Sequence, residues 1–285
     1  MELPRITATM VQRWDDCIVR RVCRRCVTAS SRATAGIPAL LYAAPVPGPV
    51  ALVGAGEFLS PMAEFDRGLL EATGRPRPRV VILPTASALD GEQTFRTWAE
   101  MGVEHFSGLG AEVEPVLVRN VSEAHDAAAI QAIGEADLVY LSGGHPRYLL
   151  DVLRQSPLGE ALTRANARGA TIAGCSAGAM AIVGRTMDVR FIPKLRIPVP
   201  FPIRWPEGLS LVDRVAVLPH YDAWPEALAA FLALQAPRGA IVLGIDEETA
   251  VVGRHGAWQV HGAGRVTVWR GRRRERFRKG DAFRV

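Results

Sequence analysis

From residue 49 onward the chain alternates short apolar runs with stretches of helical period. "PVALVGAG" (49–56) is a continuous apolar run ending at glycine, as expected of a strand buried on both faces. "SPMAEFDRGLLEATG" (60–74) spaces its apolar residues three and four apart, which predicts a helix with Ser60 as N-cap, Pro61 in its first position and Gly74 at its end. The alternation continues with strand 79–87, helix 91–110, strand 113–118, helix 123–136, strand 136–144, helical segments over 146–168 and strand 170–176. Beyond 205 the pattern predicts strand 214–220, helix 225–236 and strand 240–247. The end, "TAVVGRHGAWQVHGAGRVTVWR", switches to a period of two with turns at glycine, the pattern of antiparallel strands at a sheet edge. Apolar strands alternating with helices imply an α/β fold: a doubly wound, mostly parallel sheet with an antiparallel C-terminal edge, in a single domain over 47–285.

Residues 1–46 break this pattern. They are rich in Arg, Ala, Ser and Pro, lack a strand-like run and end in "AAPVPGP", so a loosely structured extension is expected. No apolar core follows the first charges, which argues against a secretory signal; Asp15 and Asp16 argue against a transit peptide. Cys17, Cys23 and Cys26 have no histidine nearby and read as incidental thiols, not a zinc site. Four cysteines in 285 residues make a disulfide framework improbable and a reducing cytoplasm the expected compartment.

No stretch approaches the roughly 20 uninterrupted apolar residues of a membrane span, so no membrane partner is expected. The formal charge of +5 concentrates in "RRVCRRC" (20–26) and "RGRRRERFRK" (270–279). Neither run is accompanied by stacking aromatics or a DNA-binding motif; both read as solvated surface, with no nucleic-acid partner.

In a parallel sheet, chemistry gathers where strands end and helices begin. Four such ends carry reactive residues: "SGGHP" (142–146), "GCSAGAM" (174–180), "LPHYD" (218–222) and "GIDEE" (244–248). The second fits G-x-S-x-G at a strand-to-helix junction, the nucleophile elbow, in which a strained turn lifts the central side chain out of the sheet. That centre is Ser176. Cys175, one residue earlier, is expected to point the opposite way and to pack as a small hydrophobe.

A serine needs a positioned base, itself held by a third group. Of the six histidines, His105 and His125 fall in helical patterns, while His255 and His261 fall in the terminal hairpin region. His220 ends the apolar run "VAVLPH" and is the natural base. The acid candidates are Asp188, Asp213, Asp222, Asp246, Glu247 and Glu248; strand-end position favours "GIDEE", and spacing does not choose among its three acids. Two other readings fit part of the pattern: an α/β-hydrolase using Ser176, Asp246 and His255, and a non-catalytic domain that binds a ligand or partner.

"YLSGGHPRYLL", "AGCSAGAM", "VLPHYD" and "LGIDEETAVV", in this order, resemble the serine peptidase family of dipeptidase E and cyanophycinase. The similarity extends over about residues 49–260. It implies a flavodoxin-like sheet related to class I glutamine amidotransferases, and a Ser-His-Glu triad that falls on Ser176, His220 and Glu247. It also implies that Gly144 and Ala177 donate backbone N–H groups to the oxyanion, with Asp188 as an alternative acid. A small peptide would be the substrate, hydrolysed through an acyl-enzyme with no metal or organic cofactor. The chain departs from the family at His145, Pro146 and Arg147, where dipeptidase E has asparagine after its glycines, and at Met180. Those positions bear on specificity more than on the catalytic core.

After the elbow helix, "RTMDVRFIPKLRIPVPFPIRWPEG" (185–208) carries five prolines and the cations Arg185, Arg190, Lys194, Arg196 and Arg204. Proline at this density predicts a stiff, extended loop beside the nucleophile. His145, Arg185 and Arg190 are therefore candidate substrate-binding residues, suited to a peptide carboxylate and hence to an acidic residue beside the scissile bond.

Overall fold

The computed structural model describes residues 46–188 and 203–285. The expected N-terminal extension up to residue 45, with Cys17, Cys23 and Cys26, lies outside the described residues, as do Arg190, Lys194 and Arg196. Ala44–Val285 form one compact unit.

The first half of that unit runs β1 (Val50–Val53), α1 (Ala63–Glu71), β2 (Arg79–Leu83), α2 (Glu92–Gly108), β3 (Glu112–Pro115), α3 (Ala127–Glu135), β4 (Leu138–Leu141), α4 (Pro146–Arg154), α5 (Pro157–Arg168), β5 (Thr171–Cys175) and α6 (Ala177–Ile182). Then come β6 (Val183–Arg185), β7 (Val212–Leu218), α7 (Glu226–Leu234) and β8 (Ile241–Ile245). The chain ends in β9 (Thr249–Arg254), β10 (Ala257–Gly262), β11 (Arg265–Arg270), β12 (Arg273–Arg278) and β13 (Ala282–Arg284).

Strands β3, β2, β4, β5 and β1 pair in parallel in that order, and β9, β10 and β13 extend the sheet antiparallel from β1. This is the mostly parallel α/β sheet with an antiparallel edge that the residue pattern predicts. The strands expected at 214–220 and 240–247 do not join it. Instead β7 and β8 belong to a second, five-stranded sheet of order β12-β11-β8-β7-β6. Residue pattern marks a strand but not its partner, and β6 is too short to carry a period-two signal. Ser60 is not a helix cap: a 3-10 turn, Ser60–Met62, precedes α1, and no side-chain capping bond is made there.

Alternation along each strand divides the core. Ala51, Val53, Ile82, Tyr140, Ala173 and Cys175 pack on one face of the larger sheet with Met62 and Phe65 of the α1 region and Phe106 of α2. Leu52, Val81, Leu83, Leu141 and Ile172 pack on the other with α3 to α6 and the second sheet. Every residue of α6 is buried there. The pairings Val53 with Cys175, Gly174 with Leu141 and Leu141 with Leu83 bring the carboxyl ends of β1, β5, β4 and β2 to one edge. Leu218 with Gly244 does the same for β7 and β8.

Candidate active site

Ser176 joins β5 to α6 with φ 48° and ψ −107°, a sparsely populated conformation that costs on the order of 1–3 kcal/mol and must be held by its surroundings. Its N–H donates to the Val53 carbonyl at 2.9 Å, and its carbonyl accepts the Met180 N–H at 3.0 Å. The flanking glycines explain themselves sterically. A Cβ on Gly174 would lie 2.5 Å from the Gly178 carbonyl carbon, and one on Gly178 would lie 2.4 Å from the Leu141 carbonyl oxygen. With a side chain at either place, α6 could not back onto β5 and β4.

Cys175 is fully buried on the opposite face, and its thiol donates to Glu57 Oε2 at 2.9 Å. Burial, reinforced by the Glu57 charge, pushes the thiol well above its ordinary pKa, so it stays protonated. The expectation of a small hydrophobe is amended: Cys175 is a buried hydrogen-bond donor.

His220 follows β7 in the left-handed region, φ 50° and ψ 38°. The turn is fixed by the Ala223 N–H on the His220 carbonyl (3.0 Å) and the Trp224 indole N–H on the Pro219 carbonyl (3.1 Å). His220 Nε2 lies 3.0 Å from Ser176 Oγ, and Nδ1 lies 2.7 Å from Glu247 Oε1. The His220 and Glu247 side chains are 41% and 50% exposed, so this side of the elbow is open to water.

The three acids of "GIDEE" separate cleanly. Asp246 is buried and turned to Arg265, accepting its backbone N–H at 2.9 Å and its Nε at 3.4 Å; burial raises its carboxyl pKa. Glu248 adopts φ 51° and is held through its N–H on the Ala55 carbonyl at 3.1 Å. Glu247 is the one that meets His220. Its own N–H donates to Asp222 Oδ1 at 2.9 Å, and its carbonyl accepts the Thr249 hydroxyl at 3.0 Å.

Asp188 is buried beyond β6 with its N–H on the Arg204 carbonyl at 2.9 Å, while Nδ1 of His220 is engaged by Glu247. The combination Ser176, Asp246 and His255 is not brought together. Gly253 of β9 pairs with Val50, at the amino-terminal end of β1, so His255 lies at the edge of the sheet opposite Ser176.

Gly144 has φ 138°, and a Cβ there would lie 2.3 Å from the Ala86 carbonyl oxygen. Ala177 is the first residue of α6, where helical N–H groups lack intrahelical acceptors. Among the described residues, neither the Gly144 nor the Ala177 N–H donates to another protein group.

The candidate specificity residues already have partners. His145 Nε2 lies 2.9 Å from Asp90 Oδ1, Arg147 Nε lies 2.9 Å from both Asp151 oxygens, and Arg185 Nη1 lies 3.5 Å from Glu207 Oε1. Among the described residues no cluster of three His, Cys, Asp or Glu side chains is arranged to hold a metal, and no helix is long and apolar enough to cross a membrane. Two residues support the site in ways the strand-end pattern does not announce: Asp222, by sequence a triad-acid candidate, holds the Glu247 N–H, and Glu57, outside the sequence candidates, contacts Gly143 and Cys175. Its signal was available, because "ALVGAGE" ends an apolar strand in an acid as "VLGIDE" does.

The model of peptidase family S51 matches residues 51–260. The cyanophycinases of Trichormus variabilis and Nostoc sp. are each 28% identical to this chain over 225 residues, covering 77% of this chain and 72% of theirs. The crystal structure of a peptidase from an acI-B1 Actinobacterium superposes with a TM-score of 0.74 at 30% identity, over 85% of this chain and 98% of that one. A putative peptidase E from Listeria monocytogenes, at 18% identity and a TM-score of 0.53 over 77% of this chain and all of its own, shares the fold.

Proposed function

This chain belongs to peptidase family S51, the family of dipeptidase E and cyanophycinase, and on that premise we propose that it hydrolyses short peptides with Ser176, His220 and Glu247 as its catalytic triad. The observation that carries the reading is the unbroken chain of contacts from Ser176 Oγ to His220 Nε2 (3.0 Å) and from His220 Nδ1 to Glu247 Oε1 (2.7 Å). Ser176 Oγ attacks the scissile carbonyl carbon while His220 Nε2 takes its proton. Glu247 accepts the Nδ1 proton in a hydrogen bond, fixes the tautomer and stabilises the imidazolium. The oxyanion is held by the Gly144 and Ala177 N–H groups, each such donor typically contributing about 3 kcal/mol. His220 then protonates the leaving amine, and water, activated by the same imidazole, hydrolyses the acyl-enzyme.

Exopeptidase action on dipeptides, with an acidic residue beside the scissile bond, is the preferred substrate reading. Of its supporting cations Arg204 is exposed and Arg185 is paired with Glu207. The test is kcat/KM for Asp-X, Ala-X and Lys-X dipeptides, with cyanophycin alongside because two relatives carry its name. Fastest turnover of Asp-X is expected. Faster Ala-X or Lys-X hydrolysis removes the acidic preference, and the absence of any hydrolysis abolished by Ser176→Ala removes the peptidase reading of the triad.

A further inference from the structure

Glu57 is a buried carboxylate that the triad does not use. It lies in the turn after β1, is 5% exposed, and both its oxygens are engaged: Oε1 accepts the Gly143 N–H at 2.8 Å and Oε2 accepts the Cys175 thiol at 2.9 Å. One side chain thus ties together the ends of three strands. Gly143 adjoins the proposed oxyanion donor Gly144, and Cys175 adjoins Ser176. The packing is close: a Cβ on Gly143 would lie 2.8 Å from Glu57 Oε1 and 3.5 Å from Ser176 Cβ. The turn that carries Glu57 is itself locked, because Phe58 takes φ 64° and sets its ring 5.0 Å from Tyr140 and 6.1 Å from Phe106.

The backbone around Gly144 gives this clamp its consequence. On one side the Gly143 N–H is held by Glu57; on the other the His145 N–H is held by the Ala86 carbonyl at 2.7 Å. The intervening Gly144 N–H is oriented by two anchored neighbours. We propose that Glu57 is a positioning residue: it fixes the spacing between the Gly144 turn and the Ser176 elbow, so that an oxyanion formed at Ser176 meets its donors. This rests on the reading of Ser176 as nucleophile and of Gly144 as oxyanion donor. The role is one of reach, not charge. A carboxylate near a developing oxyanion is electrostatically unfavourable, so the hydrogen bonds it accepts are what it contributes.

Glu57→Asp keeps the charge and loses the reach, whereas Glu57→Gln keeps an oxygen for the Gly143 N–H and loses the charge. The measurement is the concentration dependence of labelling by a fluorophosphonate. In that reaction Ser176 Oγ bonds to phosphorus, fluoride leaves, and His220 takes the hydroxyl proton. The limiting rate reads the aligned site; the half-saturating concentration reads probe binding. Glu57→Asp is expected to lower the limiting rate by about tenfold to a hundredfold, short of or equal to losing a donor outright, with half-saturation unchanged. Glu57→Gln is expected to label within about threefold of the unsubstituted protein, since one good acceptor remains. Should the aspartate variant not fold, Glu57→Met, which fills the volume with only a weakly accepting thioether, replaces it with the same expectation. Labelling of the aspartate or methionine variant at the unsubstituted rate overturns the inference, as does a glutamine variant slower than the aspartate one. A protein that labels at Ser176 in none of its forms fails at the triad instead, and Ser176→Ala, run beside the others, tells the two failures apart.

Discussion

Cys175 and Ser176 are neighbours in the chain and inhabit different environments. The thiol lies on the closed face of the larger sheet, among Glu57, Tyr140 and the α1 and α2 side chains. Close by, Asp66 is fully buried and pairs with His105 at 2.9 Å. Burial raises the pKa of the Cys175 thiol, the Tyr140 phenol and the Asp66 carboxyl alike. The hydroxyl of Ser176 instead meets a half-exposed histidine that is held by a half-exposed glutamate. A thiol is intrinsically the better nucleophile, but only as thiolate, and the closed face withholds ionisation and access together. The open face supplies the histidine contact. On the proposed reading, side of the sheet, not residue type, separates the reactive group from the inert one.

The sharpest way to break this contrast is Ser176→Ala, for which we expect hydrolysis to fall by roughly 10³–10⁶-fold with Cys175 unable to substitute. Glu247→Gln is expected next, lowering kcat by about 10²–10⁴-fold because the amide no longer fixes the imidazole tautomer. Half exposure of the pair places the effect toward the lower end. Gly144→Ala sets a Cβ 2.3 Å from the Ala86 carbonyl at φ 138°. Both kcat, by about 10²-fold, and stability, by roughly 1–3 kcal/mol, are expected to drop.

The elbow turn, the position of His220 and the strand ends were legible in the sequence because each sits where an apolar run stops, and parallel strands stop at a common edge. Strand-end spacing narrows the acid to "GIDEE" and no further; only the family resemblance singles out Glu247. Its choice depends on Arg265 from another strand capturing Asp246, and on the left-handed turn at Glu248, neither of which spacing encodes. The second sheet was illegible for a related reason: β7 and β8 end in buried apolar runs, as β1 does, and their partners are set by three-dimensional packing. Glu57 and Asp222 act through backbone N–H groups of other segments, contacts that leave no periodic trace.

Two smaller effects sharpen the comparison on the closed face. Asp66 has its carboxyl pKa raised by burial, so the folded protein binds its proton more tightly than the unfolded chain does. Its contribution is therefore favourable below the ordinary aspartate pKa and is lost as pH rises toward the raised value. Asp66→Asn should flatten the resulting decline in Tm from about pH 4 upward, measured by thermal melts across pH. Cys175→Ala keeps Ser176 and the Gly143 end of the Glu57 contact, so Ser176-dependent activity should remain measurable, while stability falls by about 1–3 kcal/mol because Glu57 Oε2 loses its donor in a buried site.

The most direct measurement is the site of covalent labelling. The protein is treated with a fluorophosphonate, digested, and the modified residue is located by mass spectrometry, in parallel with Ser176→Ala and Cys175→Ala. We expect the adduct on Ser176, absent from the serine variant and retained in the cysteine variant. An adduct on Cys175, or labelling that survives Ser176→Ala, would contradict the assignment of the open face as the reactive one.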